Sequence, residues 1–424
     1  EMTAVQTAPT CCDGSTGFVP IETAHQRAIE GISAVSGEEV VSLCAARGRV
    51  SAAPVPASHA IPPFDQSAMD GYAIRIRDIV AVPATLPVVA RQAAGPEENF
   101  VIPEGPATVR IFTGAPMPPG FDAVVMQEHC KLSGDAITIH KIPKAGEHVR
   151  LAGDDVQVGQ ILVEGDTLID ARHIAMLAAA GVVEVLVRRR VRVAVLSTGN
   201  ELREPHEKLA PGEIHDSNRL MLMSLLSTAA IELTDLGCIR DTREAIAEVL
   251  AAAARTFDVV ISTGGVSVGE EDHVGAAVLA AGGSFAPLRA SIKPGKPASI
   301  GQVGSAAFIA LPGNPVSALV TYLWFGKPVL ERRMGLKPRP PVPINASAAF
   351  DELRHPGRDE FVPVVITGRD SEGRPLVEKR RTPGSARLSS LIGADGLARI
   401  PGHLSAVRRG ELLALYTFGC DFGL

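Results

Sequence analysis

The stretch Asp258-Val-Val-Ile-Ser-Thr-Gly-Gly-Val-Ser-Val-Gly-Glu-Glu-Asp-His273 couples a buried strand to a polar loop, and the organisation of the chain can be read outward from it. Val259, Val260 and Ile261 form a short apolar β-branched run, which suits a strand covered on both faces. Thr263-Gly264-Gly265 then lets the backbone approach a ligand closely. The loop also carries Ser267, Glu270, Glu271 and Asp272. Glycine amides attract oxyanions whereas clustered carboxylates repel them, so the two belong together if a divalent cation bridges carboxylate to phosphate. An ordinary acidic turn between strand and helix is the alternative reading of the same residues.

Around this stretch, strand and helix patterns alternate. Strands are expected at 191–196, 233–239, 258–262 and 306–311, with helices near 217–230, 241–255, 273–281 and 314–333. Such alternation implies a parallel sheet with right-handed crossovers, whose strand C-termini share one ligand-binding edge. The loops at that edge are alike in character. They are Thr198-Gly199-Asn200-Glu201, Arg240-Asp241, the diglycine loop itself and Pro312-Gly313-Asn314-Pro315. Glu201, Asp241 and Asp272 would therefore converge. Asp241 has a local alternative, since with Glu244 it fits a capping box. In Lys293-Pro-Gly-Lys296-Pro, two prolines and a glycine would hold two lysines as an oxyanion clamp; solvated loop lysines are the alternative.

The flanks differ. Residues 1–16 lack periodicity and read as a mobile lead-in. Helical spacing covers 21–32, and a second helix is expected through Val40, Val41, Leu43 and Cys44. Residues 56–144 read as a β-rich domain. Its entry loop offers Asp65, Ser67 and Asp70, and a later loop offers the Thr113 hydroxyl; turn chemistry alone explains both equally well. The segments 17–55 and 145–187 would join as a discontinuous helical and β domain on either side of that insertion. Arg188-Arg189-Arg190 reads as a solvated basic turn opening the α/β domain, 188–336. Residues 337–424 follow a proline-rich linker and read as a small terminal β domain, barrel or sandwich. Within it, Ser385 lies in a hydroxyl-rich loop.

Composition sets outer limits. A chain of 424 residues with 46% hydrophobic and 21% charged residues is globular and large enough for two to four domains. A net charge of −6 without a dense basic run argues against nucleic acid as a partner. Aromatics at 4% leave little for stacking platforms. The six cysteines form no Cys-x-x-Cys pair, which fits neither a zinc site nor a disulfide scaffold. Without an apolar run of about 18 to 20 residues, a soluble cytoplasmic protein with no membrane partner is expected.

Five motifs together make the chain resemble the molybdopterin molybdenumtransferase family and the related C-terminal domain of gephyrin. They are Phe64-Asp-x-Ser-Ala-Met-Asp-Gly-Tyr-Ala, Thr113-Gly-Ala-Pro-x-Pro, Ser197-Thr-Gly-Asn-Glu-Leu, Ser262-Thr-Gly-Gly-Val-Ser-Val-Gly, and Lys293-Pro-Gly-Lys-Pro with Leu311-Pro-Gly-Asn-Pro-Val-Ser. The likeness spans about residues 17 to 422. It implies a four-part elongated subunit: a discontinuous helical and β domain, a β-rich domain, a parallel-sheet molybdopterin-binding α/β domain, and a C-terminal β-barrel-like domain. It also implies a homodimer whose active sites lie between subunits, with Asp70 and Thr113 acting across the interface. The implied reaction takes adenylylated molybdopterin and molybdate, cleaves the pyrophosphate linkage with Mg²⁺, and yields molybdenum cofactor and AMP.

By the same resemblance Asp70, Thr113, Glu201, Asp241, Asp272, Lys293, Lys296 and Ser385 are catalytic candidates. Glu201, Asp241 and Asp272 would hold Mg²⁺, and Lys293, Lys296 and Ser385 the molybdate. Ser67, Thr198, Gly199, Thr263, Gly264, Gly265, Ser267, Pro312, Gly313 and Asn314 would contact substrate. The molybdopterin adenylyltransferase and downstream molybdoenzymes are further implied partners. Two departures stand out. Arg289 replaces a lysine, and an expected arginine aligns near Pro363, with Arg354 or Arg358 as its possible substitutes. A molybdopterin adenylyltransferase and a non-catalytic pterin-binding scaffold are the alternative functions.

Overall fold

The structure, a computed structural model, describes residues 17–96, 101–265, 273–295, 298–380 and 386–419. The lead-in 1–16 and the expected site residues Ser267, Asp272, Lys296 and Ser385 lie outside them. The chain divides into two units: one comprises Val40–Arg47 and Ser51–Val187, the other the residues through Glu39, Gly48–Val50 and Arg188–Leu424.

In the first unit a six-stranded sheet runs in the order Ala123–Met126, Gly71–Ile74, Thr108–Ile111, Ala84–Gln92, Ala136–Ile139, Cys130–Ser133. Strand alternation gives it two apolar faces: Tyr72 and Ile74 pack with Leu86 and Ile137, while Ala73 packs with Val109, Ile111 and Val124. A separate cluster of Val163, Ile169, Leu177 and Val185 lies under the helix Ala171–Ala179, which Asp170 caps with a capping box. The second helix expected near Val40 is instead a strand, Glu38–Ser42, paired with Glu184–Arg188 and followed by a short turn of 3₁₀ helix. The β-branched pair Val40-Val41 favours extended backbone, and cross-strand pairing outweighs a helical spacing this short.

In the second unit a six-stranded sheet runs in the order Ile231–Ile239, Val191–Thr198, Val259–Thr263, Ala306–Leu311, Ser299–Val303, Ser284–Pro287. The first four strands are parallel, as the alternation predicts. The last two form an antiparallel edge absent from the expected pattern. Every residue of Val259–Thr263 and Ala306–Leu311 is buried, so both faces are covered. Helices Asn218–Leu226, Arg243–Ala253, His273–Ala280 and Pro315–Thr321 occupy the expected places. The expected single helix over 314–333 is interrupted by a π turn at Tyr322–Gly326 before Lys327–Arg333. Pro328 has no N–H for the Trp324 carbonyl, which is instead bonded by His25 Nδ1 at 3.0 Å. His25 lies on the first helix, Ile21–Ile29, and Ile21, Ala24 and Ala28 bury its apolar stripe in the core of this unit.

Five strands after the linker, Ile344–Ala348, Asp359–Arg369, Pro375–Lys379, Gly396–Ile400 and Leu412–Thr417, close into a barrel. Trp324, Phe361 and Tyr416 pack pairwise with ring centroids 5.4–5.9 Å apart, tying the barrel to the α/β layer. The short strand Ile292–Lys293 adds itself to the barrel strand Asp359–Arg369 in parallel register, so the lysine loop is built on both. Arg189 is no solvated turn: it bonds both carboxylate oxygens of Asp258, at 2.7 and 2.9 Å. Burial raises the Asp258 carboxyl, but the Arg189 bonds and the Arg192 N–H outweigh it and hold it below the ordinary range.

Candidate functional site

Three loops meet at the C-terminal edge of the parallel strands because glycine lets them. A Cβ on Gly264 would lie 2.3 Å from the Thr198 carbonyl oxygen, and one on Gly265 would lie 2.4 Å from Thr198 Oγ1. Both glycines have positive φ, 85° and 65°. Asn218 Nδ2 donates to Thr263 Oγ1 at 3.1 Å and to the Gly313 carbonyl at 2.6 Å, so one amide joins the diglycine loop to the Pro312-Gly313 loop. Thr263 Oγ1 in turn donates to the Pro312 carbonyl at 3.3 Å. The Thr198 hydroxyl is buried without a hydrogen-bond partner among the described residues.

These loops form one wall of a cavity of about 1100 Å³. Thr198, Gly199, Glu201, Asp241, Thr263, Gly264 and Gly265 all line it, as do Pro312, Gly313, Asn314 and Lys293. Glu201 folds its carboxylate back over Gly199, where a Cβ would come within 2.7 Å of it. The proposed cap role of Asp241 belongs to its neighbour: Thr242 caps Arg243–Ala253, accepting from the Ala245 N–H at 3.4 Å. Among the described residues no group of three or more His, Cys, Asp or Glu side chains could hold a metal.

The opposite wall is the barrel rim, and sequence reasoning missed most of it. Lys379, Arg380, Glu352 and Glu360 line the cavity beside Lys293. Lys293 Nζ lies 3.4 Å from Glu360 Oε1, and Lys379 Nζ donates to both oxygens of Glu352 at 2.7 Å. Of the two arginines considered in place of the one expected near Pro363, Arg358 lines the cavity and bonds the Ile292 carbonyl at 3.0 Å. Arg354 does not line the cavity; it bonds the Pro401 carbonyl at 2.5 Å and lies 3.7 Å from Glu360 Oε2. Arg380 is the cross-strand neighbour of Pro363, its N–H donating to the Pro363 carbonyl at 3.2 Å. Arg289 is exposed, does not line the cavity, and adopts a positive φ of 47°.

The remaining sequence candidates sit on the other unit. Thr113 donates to Asp70 Oδ1 twice, from its N–H at 2.8 Å and its hydroxyl at 3.0 Å. The backbone bond foremost, then the hydroxyl, holds the exposed Asp70 carboxyl below the ordinary carboxylate range. The Ser67 hydroxyl is buried and donates to the Met69 carbonyl at 2.6 Å, which gives it a place in the turn preceding Asp70.

Comparison with known proteins matches three successive regions of the chain. Residues 19–181 match the MoeA N-terminal region (domain I and II), 194–332 the family described as "Probable molybdopterin binding domain", and 345–418 the MoeA C-terminal region (domain IV). A molybdopterin molybdenumtransferase of Haemophilus influenzae is 37% identical over 403 residues, covering 95% of this chain and 99% of its own. One of Nostoc sp. is 39% identical over 374 residues, covering 86% and 85%. The crystal structure of the molybdopterin biosynthesis moeA protein from Pyrococcus horikoshii OT3 matches with a TM-score of 0.76 at 29% identity, covering 95% of this chain and all of that one. The likeness thus extends through the α/β domain and both flanking regions, and the chain belongs to the molybdopterin molybdenumtransferase family.

Proposed function

We propose that the chain inserts molybdenum from molybdate into molybdopterin, taking the adenylylated pterin and releasing AMP. The observation that carries this reading is a single cavity with two chemically different walls. One presents Glu201, Asp241 and glycine loops, the other Lys293 and Lys379, paired with Glu360 and Glu352, together with Arg358 and Arg380. A pyrophosphate-linked substrate meeting an oxyanion needs both. Glycine loops let backbone amides reach phosphate oxygens, and the N-terminal end of the helix Asn218–Leu226 favours negative charge beside them. Ammonium and guanidinium groups supply charge-assisted bonds to a tetrahedral oxyanion. In the reaction a water oxygen bonds to one phosphorus of the pyrophosphate as the bridging P–O bond breaks, the water's protons passing to the product oxygens and solvent, with one phosphate leaving as AMP and the other staying on the pterin.

The donor set fits Mg²⁺. Carboxylates of Glu201 and Asp241 and the Thr198 hydroxyl, which has no hydrogen-bond partner among the described residues, are hard oxygen ligands, with water and substrate phosphate to fill the remainder. When bound, the ion supplies neutralisation of charge on the pyrophosphate. Asp272, outside the described residues, would complete the carboxylate set on the resemblance alone.

The direct test is reconstitution with adenylylated pterin, Mg²⁺ and molybdate, following AMP and protein-bound molybdenum. AMP release that depends on the protein supports the reading, whereas release no faster than a protein-free control overturns it. ATP-dependent formation of adenylylated pterin would reveal an adenylyltransferase instead, and pterin binding without turnover a scaffold.

The setting proposed is a cytoplasmic homodimer in which Asp70 and Thr113 of one subunit serve the cavity of the second. The free thiols of Cys44, Cys130 and Cys238 agree with a reducing compartment. No helix among the described residues is long and apolar enough to cross a membrane. Mixing inactive Asp70→Ala and Asp241→Asn chains tests the shared site. Random two-fold pairing gives half heterodimers with one intact site each, so about a quarter of parental turnover is expected. A mixture as inactive as either variant would place both residues in one chain's site.

A further inference from the structure

Between the strand Val191–Thr198 and the helix Asn218–Leu226 the chain makes an excursion that carries Glu201 into the cavity wall and returns through Asp216. Its two arms are joined as a short parallel ribbon of Leu202–Arg203 and Ile214–His215. The Ile214 N–H bonds the Glu201 carbonyl, and the Asp216 N–H the Arg203 carbonyl, each at 2.9 Å. At its start the excursion is held by the Asp241 N–H to Asn200 Oδ1, at 3.4 Å, and by Cys238 Sγ to the Gly199 carbonyl, at 3.7 Å. Beyond Glu201 both arms are gripped by Arg219, a guanidinium only 2% exposed at the first turn of the helix.

Its donors go three ways. Nε donates to Asp216 Oδ2 at 2.9 Å on the returning arm, Nη2 bonds Glu204 on the outgoing arm, and Nη1 bonds Asp235 on the edge strand Ile231–Ile239. Asp216, also 2% exposed, accepts a further bond from Ser197 Oγ at 2.5 Å. A planar fork with fixed donor directions sets three carboxylates in a defined geometry, whereas the three donors of an ammonium rotate on a flexible stem.

We infer that Arg219 is a positioning residue for Glu201: carried by the helix Asn218–Leu226, it grips Glu204 and Asp216 and locks both arms of the excursion to that helix, so that the Glu201 carboxylate is held at the cavity wall before substrate arrives. The inference rests on Glu201 acting in this cavity.

The fork supplies its own control. Glu204 and Asp235 bond the same guanidinium and are nearly equally exposed, 36% and 38%, so a role limited to stability gives Glu204→Gln and Asp235→Asn similar consequences. Positioning makes them differ, because only Glu204 belongs to the arm that carries Glu201. Glu204→Gln is expected to speed amide hydrogen exchange across residues 199–204 and to lower kcat by about 10- to 100-fold with little change in KM. Asp235→Asn is expected to lower the melting temperature and leave kcat and that exchange unchanged. Arg219→Lys, which keeps the charge without the fork, should reproduce the Glu204→Gln exchange and kcat. Equal kcat in the two carboxylate variants, or unchanged exchange in Glu204→Gln, overturns the inference. Glu201→Gln in the same assay separates the two readings. Parental turnover by that variant would remove Glu201 from the mechanism, whereas an impaired Glu201→Gln beside a normal Glu204→Gln would refute positioning alone.

Discussion

Asp241→Asn is expected to lower AMP release by about 10²- to 10³-fold, the effect of removing one preorganised electrostatic contact from an active site. The side chain keeps its shape but loses its charge and exchanges one acceptor oxygen for an NH₂ donor. Stability should change little, because the helix that begins beside Asp241 takes its cap from Thr242 rather than from Asp241. The melting temperature should therefore stay within the roughly 1 °C that about 1 kcal/mol represents in a chain of 424 residues, given about 2.1 cal/mol/K of unfolding entropy per residue. Thr242→Ala should do the reverse, costing about 1 kcal/mol of stability for the lost cap while leaving turnover near the parental rate. The pair separates Asp241, which the sequence reads as a possible cap with Glu244, from Thr242, which makes the cap. Turnover by Asp241→Asn within threefold of the parent, measured as AMP release at saturating Mg²⁺, would remove this carboxylate from the mechanism.

The contrast between Asp241 and Thr242 shows where the sequence was legible. The parallel sheet could be read because Val259, Val260 and Ile261 are apolar in a way that only two-sided burial explains, and the loops after such strands have a shared edge by topology. That edge brought Glu201, Asp241, the glycine loops and Lys293 to one cavity. The barrel rim was not legible. Lys379 and Glu352 are 27 positions apart, and their meeting depends on the closure and register of the barrel, which local spacing does not encode. The strand at Glu38–Ser42 failed for a related reason, since its pairing partner is Glu184–Arg188. Arg219 was missed because a lone arginine near a helix start reads as solvated until three separate carboxylates are folded around it.

Gly264→Ala is expected to abolish activity by a different route, and a second glycine shows why. At Gly264 an added Cβ would lie 2.3 Å from the Thr198 carbonyl oxygen, with φ at +85°. At Gly282 φ is +78°, yet a Cβ there would meet nothing within 4 Å. Both substitutions incur left-handed backbone strain of about 1–3 kcal/mol. Only Gly264→Ala adds a clash with backbone, which cannot rotate away as a side chain can. The Thr198 loop must part from the diglycine loop, and Gly313, whose own Cβ position is 3.7 Å from Gly264 Cα, loses its neighbour. Because Asn218 fastens Thr263 to Gly313, the displacement extends to the Pro312-Gly313 loop of the same cavity wall. A shift of about 1 Å in such a wall is enough to lose 10²-fold or more in rate. Gly264→Ala should thus lose both stability and turnover, whereas Gly282→Ala should melt earlier than the parent and keep its kcat. Equal kcat for the two variants would mean that the close approach at Thr198 has no part in forming the site, and that backbone conformation alone selects glycine there.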